Sequence, residues 1–579
     1  MDSVHQPALT LRQLNGDVLR VVCELLRPGR CLRPLSMTCK WLRAESYPVL
    51  FRECIVQSNV VDRKYDPAFI PCSLWPYVCT LSFSGCFSRR EIQWMNAATD
   101  HGLDDYRKEL GFHNQLIPVK QVSAALRIAF RSMQALSSVY ISMPERADRV
   151  HSDNIPGISP YILEAILSTP HLRHLTITGP LFHFHDSLPS NPACLSLAEL
   201  SSFDYYHEDL RSSAQVPRAE REQVVRILAR THDHLQHLHL PAECAPLDQM
   251  ATWHWPLLRS LSLRGERVAS SLSPTYMLSK MPRLHTASLF LAEPANGSDS
   301  PPTWPASPAP QIKWRNLEVL DITHPNPEDE LYSHLSHDLL SLGLRCWPRY
   351  YKLHTGFQDD FSAAGVQWSS PLLSSSEMLR ILQRLEAPRL NVVDLEFRAD
   401  SGDMQLFHHI GRALPSLEFL CIHRYRMAGE KEVPLAGIAR ALSALRHLKL
   451  LMLHLDFADL PDVCGPVYEF HRTGRLSRTR AQQLTESDAT LARAANTMAT
   501  LLGPSLQYIF LLRPRRDALN QWIPFRVVRS THPAEVGEQI TAVRHLVQKC
   551  GEPIFPYGSL WVFPPGWALR SWRCTDWAS

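Results

Sequence analysis

The chain has 579 residues, more than one compact core supports unless it is a repeat array that adds layers instead of enlarging a sphere. Its 60 basic and 57 acidic residues leave a net charge of +3, so no field favours nucleic acid or an anionic membrane. The 14 cysteines contain no Cys-x-x-Cys and no close set of the kind that holds zinc or a disulfide framework, and they read as small buried hydrophobes in a reducing compartment. The N-terminus lacks the basic start and apolar core of a signal peptide, and no apolar run approaches a membrane span. The expectation is a soluble protein of the cytoplasm, the nucleus or both.

The first element lies between Leu14 and Phe51. Asn15 is placed to cap a helix and Asp17 puts negative charge in its first turn, while Val18, Leu19, Val22, Leu25 and Leu26 share one helical face. After the break at Pro28-Gly29, Leu32, Leu35, Cys39 and Leu42 repeat the pattern, and Pro48 with Val49-Leu50-Phe51 marks a third short helix. Three short helices in about 40 residues make too small a core to stand alone, so their apolar faces need a partner or the following domain to lie against. The order of a Leu-x-x-Asp-Val-Leu helix, a Leu-x-x-Leu-Ser-x-x-Cys-Lys segment and a terminal Leu-Phe-Arg resembles an F-box, as found near the N-terminus of many fungal proteins. Asn15 stands where that family usually has proline, and Trp41 follows Lys40 one position earlier than the family's tryptophan tends to come. The resemblance implies docking on a Skp-type adaptor and, through it, on a cullin. Leu14, Val18, Leu19, Val22, Leu35 and Leu42 are then the candidate adaptor-binding residues.

Beyond this module a Leu-x-x-Leu-x-Leu frame recurs thirteen times: Val78/Leu81/Phe83, Leu136/Val139/Ile141, Leu172/Leu175/Ile177, Leu200/Phe203/Tyr205, Leu235/Leu238/Leu240, Leu258/Leu261/Leu263, Leu284/Ala287/Leu289, Leu317/Leu320/Ile322, Leu339/Leu342/Leu344, Leu390/Val393/Leu395, Leu417/Leu420/Ile422, Leu448/Leu451/Leu453 and Leu506/Ile509/Leu511. Prolines such as Pro170, Pro256, Pro282, Pro388, Pro415 and Pro504 precede many copies and mark where a helix has ended and a strand begins. The alternation of frame and amphipathic helix resembles leucine-rich repeats, although the asparagine that commonly follows the frame is missing, as in Thr178-Gly179-Pro180 and Arg264-Gly265-Glu266. An ordinary α/β protein with leucine-rich parallel strands is the other reading. The fold class expected is therefore α/β: an N-terminal three-helix F-box (11–56), then an irregular leucine-rich-repeat solenoid with a parallel inner sheet (57–520), interrupted by loops at 293–311 and 354–376. A helix through Leu484, Leu491, Ala495 and Met498 continues the array or docks on its side, and a Trp-rich tail (521–579) with Trp561, Trp567, Trp572 and Trp577 caps it.

No phosphate-binding glycine loop, Gly-x-Ser-x-Gly elbow or His-Glu-x-x-His is present, and the F-box resemblance requires no chemistry of this chain, so the expectation is a protein without catalytic activity or cofactor, an enzyme with an unrecognised site on the repeat scaffold being the rival from another class. Thr231 to Leu240 holds four histidines. His237 and His239 would share a strand face, but Leu238 and Leu240 point into the core, which makes surface or partner contact a better reading than a metal site. The same alternation places His174, His237, His239, Arg264, Asp321, Phe419, Cys421 and His423 on the concave face, where a target protein would bind. An apolar strip from Phe419 to Leu512 should not stay bare; the tail is expected over Tyr508 to Leu512 and a partner over Phe419 to His423. The F-box resemblance, with a repeat array behind it, implies a substrate-recognition subunit of a cullin-RING ubiquitin ligase whose target protein is unknown, with a ligase-independent interaction scaffold of the same fold as the alternative.

Overall fold

The computed structural model describes residues 14–57 without 28–30, 70–84, 119–142, 158–181, 197–207, 211–267, 274–294, 314–346, 368–460, 478–513, 521–530 and 539–544, apart from isolated positions within these ranges. The chain forms two compact units: residues 1–208 with 215–239, and residues 209–214 with 240–579.

The first unit opens with helices α1 (Gly16–Leu26), α2 (Leu32–Thr38) and α3 (Lys40–Leu50). Asn15 caps α1 as expected, its side chain accepting the Asp17 N–H at 3.1 Å. The second and third helices are divided differently from the sequence expectation. The chain breaks at Cys39, whose extended backbone places Sγ 3.5 Å from the Leu42 N–H, and α3 then runs through Pro48 to Leu50. A proline in the last turn removes a single hydrogen bond, and buried Val49 holds that turn against the module's core.

That core consists of Leu19, Cys23, Leu32, Leu42 and Val49, with Leu26, Leu35, Trp41 and Leu50 packed against it. It does not stand alone. Arg27 pairs with Glu53 at 2.5 Å and Arg52 with Glu24 at 2.9 Å, tying α1 to strand β1 (Glu53–Gln57) and the residue before it. Tyr47 meets Phe51 and Tyr77 edge to face, with ring centroids 5.3 and 6.1 Å apart. The small helical core is thus completed by the start of the sheet.

Strand β1, which carries no leucine frame and was not foreseen, pairs in parallel with β2 (Thr80–Ser84). The sheet continues in parallel through β3 (Ser138–Ser142), β4 (His174–Thr178), β5 (Ser202–Tyr206) and the first residues of β6 (His237–Pro241). In the second unit β7 (Ser260–Glu266), β8 (Thr286–Pro294), β9 (Val319–Thr323) and β10 (Ser341–Arg345) pair in parallel order. After the short β11 (Trp368–Ser369), the sheet continues from β10 through β12 (Val392–Arg398), β13 (Phe419–Tyr425), β14 (Leu450–His454) and β15 (Tyr508–Arg513).

All three positions of all thirteen frames are buried, none more than 8% exposed. They are also in register: Leu81, Val139, Leu175, Phe203 and Leu238 are successive partners in the first unit, and Leu261, Ala287, Leu320, Leu342, Val393, Leu420, Leu451 and Ile509 in the second. Each repeat therefore buries three side chains at about 1.5–3 kcal/mol apiece, against neighbours that supply the other side of the contact. The fold is α/β, with leucine-rich-repeat-like strand–helix units and a parallel sheet.

The prolines act as expected and have a defined role. Leu284, Leu390, Leu417 and Leu506 each donate their N–H to the carbonyl three residues back, at Met281, Ala387, Leu414 and Gly503. Pro282, Pro388, Pro415 and Pro504 thereby occupy the second position of a β-turn, where their fixed φ is favoured. Strand exits have a matching device: the second residue after the frame is left-handed at Gly179 (φ 102°), Gly265 (φ 145°) and His324 (φ 53°).

Both expected loops begin or end in regular structure. Glu293 and Pro294 pair antiparallel with Ser369 and Trp368, and a helix already starts at Ser375 inside the second stretch. Its cap is a reciprocal box, with Ser374 Oγ accepting the Glu377 N–H at 3.2 Å and Glu377 Oε2 accepting the Ser374 N–H at 2.8 Å. Residues 295–313 and 354–367 lie outside the described residues. The helix Arg478–Leu501 continues the array, lying between β14 and β15 and packing beside the helix Leu435–Leu442 of the preceding repeat. Beyond β15 the chain turns back as β16 (Gln521–Ser530) and β17 (Gln539–Arg544), two antiparallel strands that extend the sheet. The tryptophans from Trp561 onward lie outside the described residues.

Candidate functional site

Three surfaces carry the residues singled out from the sequence. On the helical module, Leu19 and Leu42 belong to the buried core, so neither faces outward as the docking reading required. Leu14, Val22 and Leu35 are half-buried and Val18 is exposed. The helix has two apolar edges: one turns inward through Leu19 and Cys23, while the other presents Val18, Val21 and Leu25 to solvent. Met37 at the end of α2 is exposed as well. Val21, Leu25 and Met37 were not singled out as docking residues; the extra apolar edge beyond what a three-helix core buries was the signal.

The second surface is the face of the sheet in the first unit that carries the inter-frame positions. His174 and His237 are exposed there as expected. His239 is buried instead, because its ring lies on that of Tyr206 with centroids 3.9 Å apart. Between them, Asp204 was missed by sequence reading. It occupies the same inter-frame position on β5 that His239 occupies on β6 and Thr176 on β4, so register places the three side by side. Ser202 donates its hydroxyl to Asp204 Oδ2 at 2.8 Å, and Oδ1 has no hydrogen-bond partner among the described residues. Burial pushes the Asp204 carboxyl above the usual carboxylate range, against the opposing pull of the Ser202 hydrogen bond, His237 and His174.

The third surface is the corresponding face of the second unit, and it differs in kind. Arg264, Cys421 and His423, expected to meet a target, are buried; Asp321 and Phe419 are half-buried. Arg345 reaches from β10 to Asp321 on β9 at 2.9 Å and to Asp394 on β12, and lies 5.4 Å from the Phe290 ring. Burial raises the Asp321 pKa, Arg345 lowers it, and nearby Asp394 raises it again. Glu396 accepts the Cys346 N–H at 2.6 Å and the Tyr425 hydroxyl at 3.0 Å. The Cys346 thiol stands 3.5 Å from His324 Nδ1. His423 contacts the rings of His454 and Trp522, each 5.6 Å away. Trp522 comes from β16, which pairs beside β15, so the start of the segment expected over Tyr508 to Leu512 reaches His423, where a partner was expected. Apart from the Trp522 contact, these are interlocked contacts between adjacent repeats, and their chemistry is that of a stapled interior.

Among the described residues no three His, Cys, Asp or Glu side chains come together in a way that would hold a metal ion. No helix among them is long and apolar enough to cross a membrane.

No family model matches the chain, and no curated protein matches it. A solved structure described as the crystal structure of the Rad7 and Elc1 complex in yeast is similar to it at 15% identity, covering 72% of this chain and 91% of that one, with a TM-score of 0.29. A likeness of that size bears on neither fold nor function.

Proposed function

We propose that the chain is a non-catalytic recognition subunit of a ubiquitin ligase of the cytoplasm or nucleus. Its helical module docks on a Skp-type adaptor and through it on a cullin, and its repeat sheet holds a target protein. One observation carries the reading: Val18, Val21, Leu25 and Met37 are 48, 58, 75 and 69% exposed on a module whose own core is already filled from its other side. An outward apolar edge on a short amphipathic helix is the chemistry of a helix-to-helix docking surface. The repeat sheet then contributes proximity, holding the target near an enzyme supplied by other subunits.

The test is co-purification of the full chain with purified adaptor, comparing wild type with Val18→Asp and Leu25→Asp. Both variants should lose the adaptor while keeping the wild-type circular dichroism spectrum. Binding retained by both variants would defeat the docking assignment, and no binding by the folded wild type would leave an interaction scaffold that joins no ligase.

A further inference from the structure

The inter-frame face of the sheet in the first unit is carpeted with hydroxyl groups. On β2 to β5 its outward positions include Thr80, Ser82, Ser138, Ser142, Thr176 and Thr178, and register aligns Ser82, Tyr140, Thr176, Asp204 and His239 in one row across five strands. Tyr140, Ser142, His174 and His237 are exposed along this face, so it is open to a ligand. Among the described outward positions of β2 to β6, Asp204 is the sole Asp, Glu, Lys or Arg. No lysine or arginine of the face itself therefore neutralises it, in contrast to Asp321, which is held by Arg345 in the second unit. A desolvated carboxylate with one oxygen held by Ser202 and the other without a hydrogen-bond partner among the described residues is matched by a cation that brings its own N–H donors. The half-buried Tyr206 ring beside it, packed at a tilt against His239, offers an aromatic surface for the stem or the flat face of such a side chain.

We propose that this face binds an extended, basic segment of a partner protein, with an arginine or lysine side chain seated on Asp204 and the flanking backbone hydrogen-bonded to the hydroxyl carpet. This deepens the target-holding half of the proposed function and is independent of the adaptor-docking half. An acidic or phosphorylated segment is the opposite solution, and Asp204 disfavours it by placing a negative charge at the centre of the row.

Random peptides displayed on phage are selected on the immobilised full chain, and the recovered sequences are synthesised with a fluorescent label and measured by anisotropy. Recovered peptides should share an arginine or lysine. Asp204→Asn, a near-isosteric change, should weaken them by about tenfold or more. Thr176→Lys, which leaves Asp204 in place and supplies an internal cation from the adjacent strand, should do the same. Thermal melting of both variants separates lost binding from lost folding, and either folded variant suffices. Recovery of peptides that share no basic residue, tighter binding of their glutamate or phosphoserine counterparts, no recovery above an empty support, or unchanged affinity in a folded variant would each overturn the proposal. Adaptor co-purification of Asp204→Asn should equal that of wild type, so failure of the docking assignment and failure of this one are read separately.

Discussion

Gly265 lies against the carboxylate of Glu243, with a backbone φ of +145° and no room for a Cβ. Glu243 Oε1 in turn accepts the Arg211 Nε–H at 2.7 Å, with both side chains almost wholly buried. Gly265→Ala must strain the backbone and push Glu243 off Arg211, and the expected loss is about 2–4 kcal/mol of stability. Urea denaturation checks this, and an unchanged midpoint would contradict it.

Leu19 and Val18 are neighbours in sequence with opposite fates, one in the module's core and the other on its surface. Leu19→Ala should open the helical module, at about 2–5 kcal/mol, whereas Val18→Ala should stay within about 0.5 kcal/mol. Hydrogen exchange of the α1 amides reads the difference: protection should fall in the first variant and hold in the second.

His454 is buried between His423 and Tyr425, and burial lowers its pKa to about 4 despite the opposing influence of Asp456. The folded state thus holds the neutral ring while the unfolded chain takes up a proton near the ordinary histidine value of about 6.5. Its stability contribution is complete above that value and is lost as pH falls toward 4, amounting to about 3 kcal/mol over the interval. Denaturation midpoints measured between pH 7 and pH 4 should fall more steeply for wild type than for His454→Phe, and parallel curves would refute the assignment.

Asp204 has the opposite sign, since its folded pKa is raised above that of the unfolded chain. The stabilising contribution of its neutral form is present below the usual carboxylate range and lost as pH rises through the folded value. Asp204→Asn should melt at or above wild type at pH 7, with the advantage gone near pH 3. A clear loss of melting temperature at pH 7 would show that the carboxylate is structurally required.

Much of the fold was legible because a repeat array is a local code. Leu175, Phe203 and Leu238 stand one repeat apart, yet each is placed by the same few residues around it, and all are buried. The helical module was legible in outline, but Cys39 capping Leu42 and α3 running through Pro48 depend on what packs against the turn, which no local pattern records. Strand β1 was missed because it has no leucine frame and exists by pairing with β2. The candidate sites were legible only as positions: alternation placed His174 and Cys421 on the same kind of face, and the structure leaves the first exposed and buries the second.

By itself the amino-acid sequence determined which residues turn inward along the frames, where the frame strands begin, many of them after a proline turn, and that a small helical module precedes the array. These follow from side-chain period and turn chemistry, which act over a few residues. The tertiary structure decided which outward residues stay open. His239 is covered by Tyr206, Arg345 is shared by Asp321 and Asp394, and Trp522 returns to His423, whereas Asp204 keeps one oxygen without a partner among the described residues. Those outcomes depend on contacts between residues far apart in the chain.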